Sequence, residues 1–367
     1  MKKPKLSHRL FTIEALEAAQ VEIDKVSEEN AVRKRARPEN IERRLNLLEA
    51  ILKNPYVELS MAKRSQLRIL DGMAVDFPNF QNVIRALKQD LRLRLLCKGS
   101  LLFAPMLLVG VPGTGKTEFV RALAERLGQK HLEFSTPSIS STFVLSGGHR
   151  TWQTAEPGRI TTSVMALNRQ GLFVLFDEID KVQDGRYPVL PKILEFTDPG
   201  QATRVNDEFL EMSLDVHPLI SWFATANYLD GVSDPMRSRF RVFQIELPTT
   251  QQMPAVALSV DRWIRKSMPH IDRWFKPLDA SALNALSSMA PRLLRRVLLA
   301  TYSAALEIKK SGRRYEITSE QLLTAARECE PPKVEKRPVQ EEAVQIPMMI
   351  FMGKPPDSGG SPPPTFH

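Results

Sequence analysis

Cysteine is almost missing from this chain: Cys97 and Cys329 are the only two among 367 residues. Two isolated thiols form neither a disulfide framework nor a metal-ligand spacing, so a cross-linked scaffold and a structural zinc are both excluded. Long hydrophobic runs are also lacking, and no segment approaches the unbroken apolar length that crosses a bilayer. The basic start Met1-Lys-Lys-Pro-Lys is not followed by an apolar run with a small-residue cleavage site, so a secretory signal is not expected. These absences lead to the expectation of a cytoplasmic protein with no membrane contact. There is no internal repeat.

What remains is ordinary globular material, with 43% hydrophobic and 25% charged residues, enough for two or three domains. The net charge of +9 raises contact with a polyanion. The tightest basic cluster, Arg33-Lys-Arg-Ala-Arg37 with Arg43 and Arg44, is interleaved with Glu28, Glu29, Glu39, Glu42 and Glu49. It reads either as a solvated helix surface or as a nucleic-acid site.

Texture divides the chain. Residues 1–95 show helical spacing at Ile41, Leu45, Leu48, Ile51 and Leu52, with turn punctuation at Asn54-Pro55 and Phe77-Pro78. Residues 96–248 alternate short apolar runs with helical stretches: Met106–Val109, Leu132–Phe134, Leu172–Phe176, Leu219–Ala224 and Val242–Ile245. That alternation predicts an α/β domain whose mostly parallel sheet is flanked by helices. Residues 249–330 return to helices and read as a small helical lid, ending in the amphipathic segment Ser319–Cys329. Residues 331–367 are rich in Pro, Gly, Ser and charge and predict a disordered tail. Its apolar stretch Val344–Met352 is either a docking peptide for a separate effector or a patch that rests on the body.

Two motifs carry chemistry. The first is Gly110-Val-Pro112-Gly113-Thr114-Gly115-Lys116-Thr117, directly after the run Met106–Val109. A strand that delivers the chain to such a loop lets backbone N–H groups surround a β-phosphate while Lys116 reaches the β- and γ-phosphates. Thr117 is then placed to ligate Mg²⁺, and the helical segment Glu118–Leu127 puts the phosphates at a helix N-terminus. The second motif is Leu172-Phe-Val-Leu-Phe-Asp177-Glu178-Ile-Asp180. An apolar strand ending in adjacent carboxylates places Asp177 beside a Mg²⁺ shell and Glu178 where it can deprotonate water attacking a γ-phosphate. Alone it would read as an acidic surface turn; with the loop it predicts nucleoside triphosphate hydrolysis.

Further residues fit that chemistry. Ser221–Asn227 is a second buried run, ending in a side chain able to position the attacking water. In Asp234-Pro-Met-Arg237-Ser-Arg239-Phe240, either arginine could stabilise the γ-phosphate of a neighbouring subunit's nucleotide or simply form a surface ion pair. Arg292, Arg295 and Arg296 share a face in the first turn of a helix, where the dipole disfavours cations unless an anion faces them.

With these motifs in place, residues from about Leu101 to Glu330 resemble the ATPase module of the AAA+ superfamily, and within it that of the Lon protease family. The segment Gly148-His-Arg-Thr-Trp152-Gln153-Thr-Ala-Glu-Pro-Gly-Arg-Ile160 resembles the Lon stretch that carries an aromatic pore loop, and Phe176-Asp-Glu-Ile-Asp-Lys181 resembles the family's second motif. The resemblance implies ATP and Mg²⁺ as ligands. It makes Asn227 sensor 1, Arg239 the arginine finger with Arg237 as rival, Arg292 sensor 2, and Trp152 the pore aromatic. Gln153 departs from the aliphatic residue usual at its position, and the spacing between Asn227 and Arg239 is one residue longer. About 37 residues follow the lid, too few to house a Ser/Lys peptidase, so the resemblance leads to the expectation of a ring of six copies that remodels or translocates a polypeptide without proteolysis of its own. The alternative is a DNA-associated helper ATPase, supported by the net charge and by Arg85, Lys88, Arg92, Arg94 and Lys98.

Overall fold

The computed structural model describes residues 7–32, 38–139, 141–182, 188–307 and 314–329. The Arg33–Arg37 cluster and the tail with Val344–Met352 lie outside the described residues. The chain opens with β1 (Ser7–Arg9), helices α1 (Ile13–Val32) and α2 (Glu39–Lys53), and β2 (Tyr56–Glu58), which pairs antiparallel with β1. Helices α3 (Ser65–Asp76) and α4 (Gln81–Leu96) complete this predominantly helical region. Then come β3 (Met106–Val109), α5 (Lys116–Arg126), β4 (Lys130–Ser135), α6 (Phe143–Ser146), α7 (Arg159–Met165), β5 (Leu172–Asp177) and α8 (Leu190–Thr197). A small hairpin of β6 (Val205–Asp207) and β7 (Met212–Leu214) precedes β8 (Ile220–Ala226), α9 (Asp234–Arg239) and β9 (Arg241–Gln244). Four helices close the described chain: α10 (Met253–Ser267), α11 (Ala280–Ser287), α12 (Pro291–Glu307) and α13 (Ser319–Cys329).

The central sheet has five strands in the order β4-β5-β8-β3-β9, every pair parallel. All seven residues of β8 and the first five of β5 are buried, as a parallel strand covered on both faces requires. Their two-residue period sorts side chains onto two cores. Phe173, Leu175, Leu108 and Phe223 pack with α3, α4 and α5, with Phe80 stacked on Phe119 at 4.4 Å. Val174, Phe176, Leu107 and Trp222 face α7 and α8 together with Ala15 and Ala19 of α1 and Leu48 and Ile51 of α2. Residues 253–307 and 314–329 enclose a third core of their own, built from Ala257, Ile264, Leu294, Leu298 and Leu322 among others.

Polar ties seat the last bundle beside the sheet. Asp76 on α3, nearly buried, pairs with Arg126 of α5 at 2.6 Å and with Arg262 of α10, and Lys266 pairs with Glu125. Because β3 has β8 on one side and β9 on the other while the chain runs on to β4 at the far edge, a crevice opens at its carboxyl end, the usual place for ligands in open α/β sheets.

Candidate functional site

The phosphate-loop residues follow β3 as the sequence implies. Gly113 and Gly115 both have φ +90°, a conformation that only glycine adopts without strain, and this turns the loop around the start of α5. Thr114 caps the turn through Val111 O at 3.1 Å, and Asn79 donates to Thr114 O at 3.1 Å and Glu246 O at 2.9 Å, tying the loop to the start of α4 and the end of β9. Lys116 is 7% exposed, and its ammonium touches the carbonyls of Gly110 and Val111 and the Asn227 Oδ1 at 3.4 Å. Burial pulls the Lys116 pKa down from its ordinary value, and the carboxylates Asp177, Asp180 and Glu178 partly restore it.

At the end of β5, Asp177 Oδ1 accepts from Thr117 Oγ1 at 2.8 Å and from Thr225 Oγ1. Thr225 passes the linkage on: its oxygen accepts the Glu178 amide at 2.9 Å, fixing Glu178 in a left-handed turn with φ 57°. Non-glycine residues visit that region at a cost, and they persist where surrounding contacts hold them. Thr136 adds a bond to Asp177 O at 2.7 Å. The Glu178 carboxylate is paired with Lys181 Nζ at 2.8 Å.

Asp180 performs a second linkage that sequence reasoning missed. Its Oδ2 accepts the amides of Asn227 at 3.1 Å and Tyr228 at 3.4 Å, so the end of β8 is pinned to the turn after β5. A cleft of about 290 Å³ is lined by Gly113, Lys116, Thr117, Asp177, Glu178 and Asn227. A neighbouring cleft of the same size is formed by Pro112, Gly113, Leu247, Met253, Pro291 and Arg292. Arg292 lies against the loop: a methyl group on Gly113 would stand 3.6 Å from its Cβ. Arg295, one turn on, covers the Trp263 ring at 4.0 Å, so the arginines of this turn do not share one task.

This donor set suits a magnesium nucleotide. A hydroxyl and a carboxylate converge at 2.8 Å beside a buried ammonium and the N-terminus of α5, and Mg²⁺ is usually held by one or two carboxylates plus substrate phosphates. Among the described residues, no group of three or more His, Cys, Asp or Glu side chains could hold a resident metal. Nor is any helix among them long and apolar enough to cross a membrane.

The two candidate finger arginines are held differently. Arg237 donates to Val232 O at 2.8 Å and Leu229 O at 2.7 Å, closing the turn before α9. Arg239 reaches Asp198 at 3.3 Å, and its Nε is buried without a partner. Trp152 is remote from the phosphate loop in sequence, 44% exposed, and edge-on to Phe143 at 4.8 Å; the neighbouring Gln153 is exposed as well.

Residues 106–248 match the family described as "ATPase family associated with various cellular activities (AAA)". The chain is 30% identical over 196 residues to Lon protease 2 of Myxococcus xanthus, covering 53% of this chain and 21% of that one. It is 30% identical over 200 residues to the Lon protease of Chloroflexus aggregans, covering 54% and 24%. The chain thus spans between a fifth and a quarter of these relatives' length. Among solved structures, the Thermotoga maritima RuvB Holliday junction branch migration motor aligns at 14% identity with a TM-score of 0.42, covering 72% of this chain and 68% of that one.

Proposed function

We propose that this chain, which carries the ATP-hydrolysing module of the AAA family in a form similar to that of Lon proteases, works as a ring that moves or remodels a polypeptide. The observation that carries the reading is the convergence of Lys116, the Thr117–Asp177 pair, Glu178 and Asn227 on one cleft, with the half-exposed Trp152 presented on a separate, tied loop.

Each residue has a task. Lys116 and the loop amides bind the β- and γ-phosphates, and the desolvated ammonium gains most from an anion placed against it. Thr117 and Asp177 would hold Mg²⁺, which when bound neutralises charge between the β- and γ-phosphates. Glu178 accepts the proton of the attacking water, its backbone turn fixed by Thr225. Asn227, within reach of Lys116, orients that water from the other side of the cleft. Arg292 contacts the nucleotide from the lid. Arg239, with an unsatisfied guanidinium nitrogen and one ion pair to exchange, suits a finger that reaches a neighbouring subunit; Arg237 is already spent on its own turn.

A second reading, a DNA-associated helper ATPase, draws on the exposed Arg85 and Arg92 of α4, although Lys88 is paired with Asp71 at 2.6 Å. One experiment separates the two. ATP turnover is measured with no addition, with unfolded polypeptide and with double-stranded DNA across a salt series, using Glu178→Gln as the blank. Loss of the general base lowers turnover by roughly 10²–10⁴-fold. Stimulation by polypeptide supports the remodeller; stimulation by DNA alone, fading with salt, supports the helper.

A further inference from the structure

The loop that bears Trp152 is tied down at four places, and two of the ties come from α2. At its neck, Gly158 N donates to Asp207 Oδ2 at 2.9 Å, while Asp207 Oδ1 accepts the amides of Phe209 at 3.1 Å and Leu210 at 3.0 Å. Asp207 is fully buried, so one carboxylate joins the loop to the β6–β7 hairpin. Near the tip, Asn40 of α2, 6% exposed, donates through Nδ2 to Arg150 O at 2.9 Å and Trp152 O at 3.3 Å. Arg43, one turn further along α2, pairs with Glu156 at 3.2 Å.

The same helix holds the hairpin. Arg44, 6% exposed, donates to Phe209 O at 2.8 Å and Leu210 O at 2.9 Å, and Glu211 in turn pairs with Arg150 at 3.0 Å. Residues 10–12 run alongside β7, with Asp215 N bonded to Leu10 O at 2.7 Å and Thr12 N to Ser213 O at 3.3 Å. This buried amide donates to two loop carbonyls at once, and its removal takes a donor from Arg150 O and leaves Trp152 O with the Ala155 amide at 3.0 Å.

We propose that α2 is a brace for the Trp152 loop, with Asn40 as its positioning residue, so that the loop and the β6–β7 hairpin act as one polymer-engaging unit whose grip is set from the N-terminal region. The inference deepens the remodeller reading, and rests on it, in giving Trp152 contact with the polymer. The brace itself is tested separately.

The test uses the full chain. Hydrogen exchange is followed at the loop amides of Gly148, Trp152 and Ala155, which bond within the loop, together with basal and polypeptide-stimulated ATP turnover. Asn40→Ala is expected to lower protection of these amides at least tenfold, leave β5 and β8 protected and basal turnover within twofold, and reduce the polypeptide stimulation at least fivefold. If Asn40→Ala also exposes β5 and β8, Arg43→Ala decides: it breaks only surface pairs, with Glu156 and with Glu39 at 3.0 Å, and a twofold or greater loss of loop protection confined to residues 148–156 is expected. Unchanged loop exchange in the folded variant overturns the brace. If wild-type turnover ignores polypeptide, the remodeller reading fails on its own, and exchange still decides whether Asn40 holds the loop.

Discussion

Asp177, Glu178 and Asp180 stand within four positions of one another and do three different things, decided by what each touches. Asp177 gathers hydroxyls, Glu178 keeps its carboxylate toward the cleft and Lys181, and Asp180 turns to backbone amides. His131 on edge strand β4 is a contrasting case, because its Nε2 is buried without a partner and burial pulls its pKa below the ordinary imidazole value. For a base with a depressed folded-state pKa, the unfolded chain takes up the proton first. Stability is therefore complete above roughly pH 6.5 and falls as pH drops through that value toward the folded pKa. His131→Gln removes the contribution, so the wild-type melting temperature should drop relative to the variant's between pH 7.5 and 5.5; a constant difference would refute the assignment. At this scale the sequence was informative wherever a motif fixes spacing: Lys116, Thr117, Asp177 and Glu178 all reach the cleft. Thr225 and Asn79 were not legible, since a threonine inside a buried strand and an asparagine after a Phe-Pro turn carry no local mark of the partner the fold brings them.

Among the elements, the central strands β5, β8 and β3 declared themselves because parallel strands covered on both faces demand nearly unbroken apolar runs, the edge strands β4 and β9 carry polar residues within theirs, and all five expected runs became the sheet's five strands. The segment Ser319–Cys329 also forms the helix its spacing implies. The β6–β7 hairpin escaped notice: each strand is three residues long and has no turn signature, and its stability comes from Asp207, Arg44 and residues 10–12. The loop neck beside it is equally dependent on close approach. A Cβ on Gly158 would fall 2.1 Å from Leu145 O. Gly158→Ala should force the neck open and cost about 1–3 kcal/mol of stability in urea unfolding, as overpacked sites do. A change below a few tenths of a kcal/mol would show that the backbone there yields freely.

For the molecule as a whole, ring formation is the expectation that reaches beyond a single chain. Arg239→Ala and Glu178→Gln should each be nearly inactive alone, the first by roughly 10³-fold or more if it removes a finger. Mixed in equal amounts, they should recover activity, because a Glu178→Gln subunit still offers Arg239 to a neighbour whose own Glu178 is intact. A mixture no more active than the two separate proteins would place Arg239 in its own subunit's chemistry. Arg237→Ala should not be rescued this way, since its loss opens the turn at Leu229 and Val232 within the same chain.

The contact between the N-terminal strand and the far end of the β6–β7 hairpin also sets an order of events during synthesis. His8 bonds to Asp215, 207 positions away, and Leu10 and Phe11 are buried only once that partner exists. At ordinary elongation rates the wait on the ribosome is about 10–40 s. Throughout it the apolar faces of α1 and α2 lack the cover that later residues bring, so the segment that later fixes the loop waits with apolar surface in water while the chain is being made.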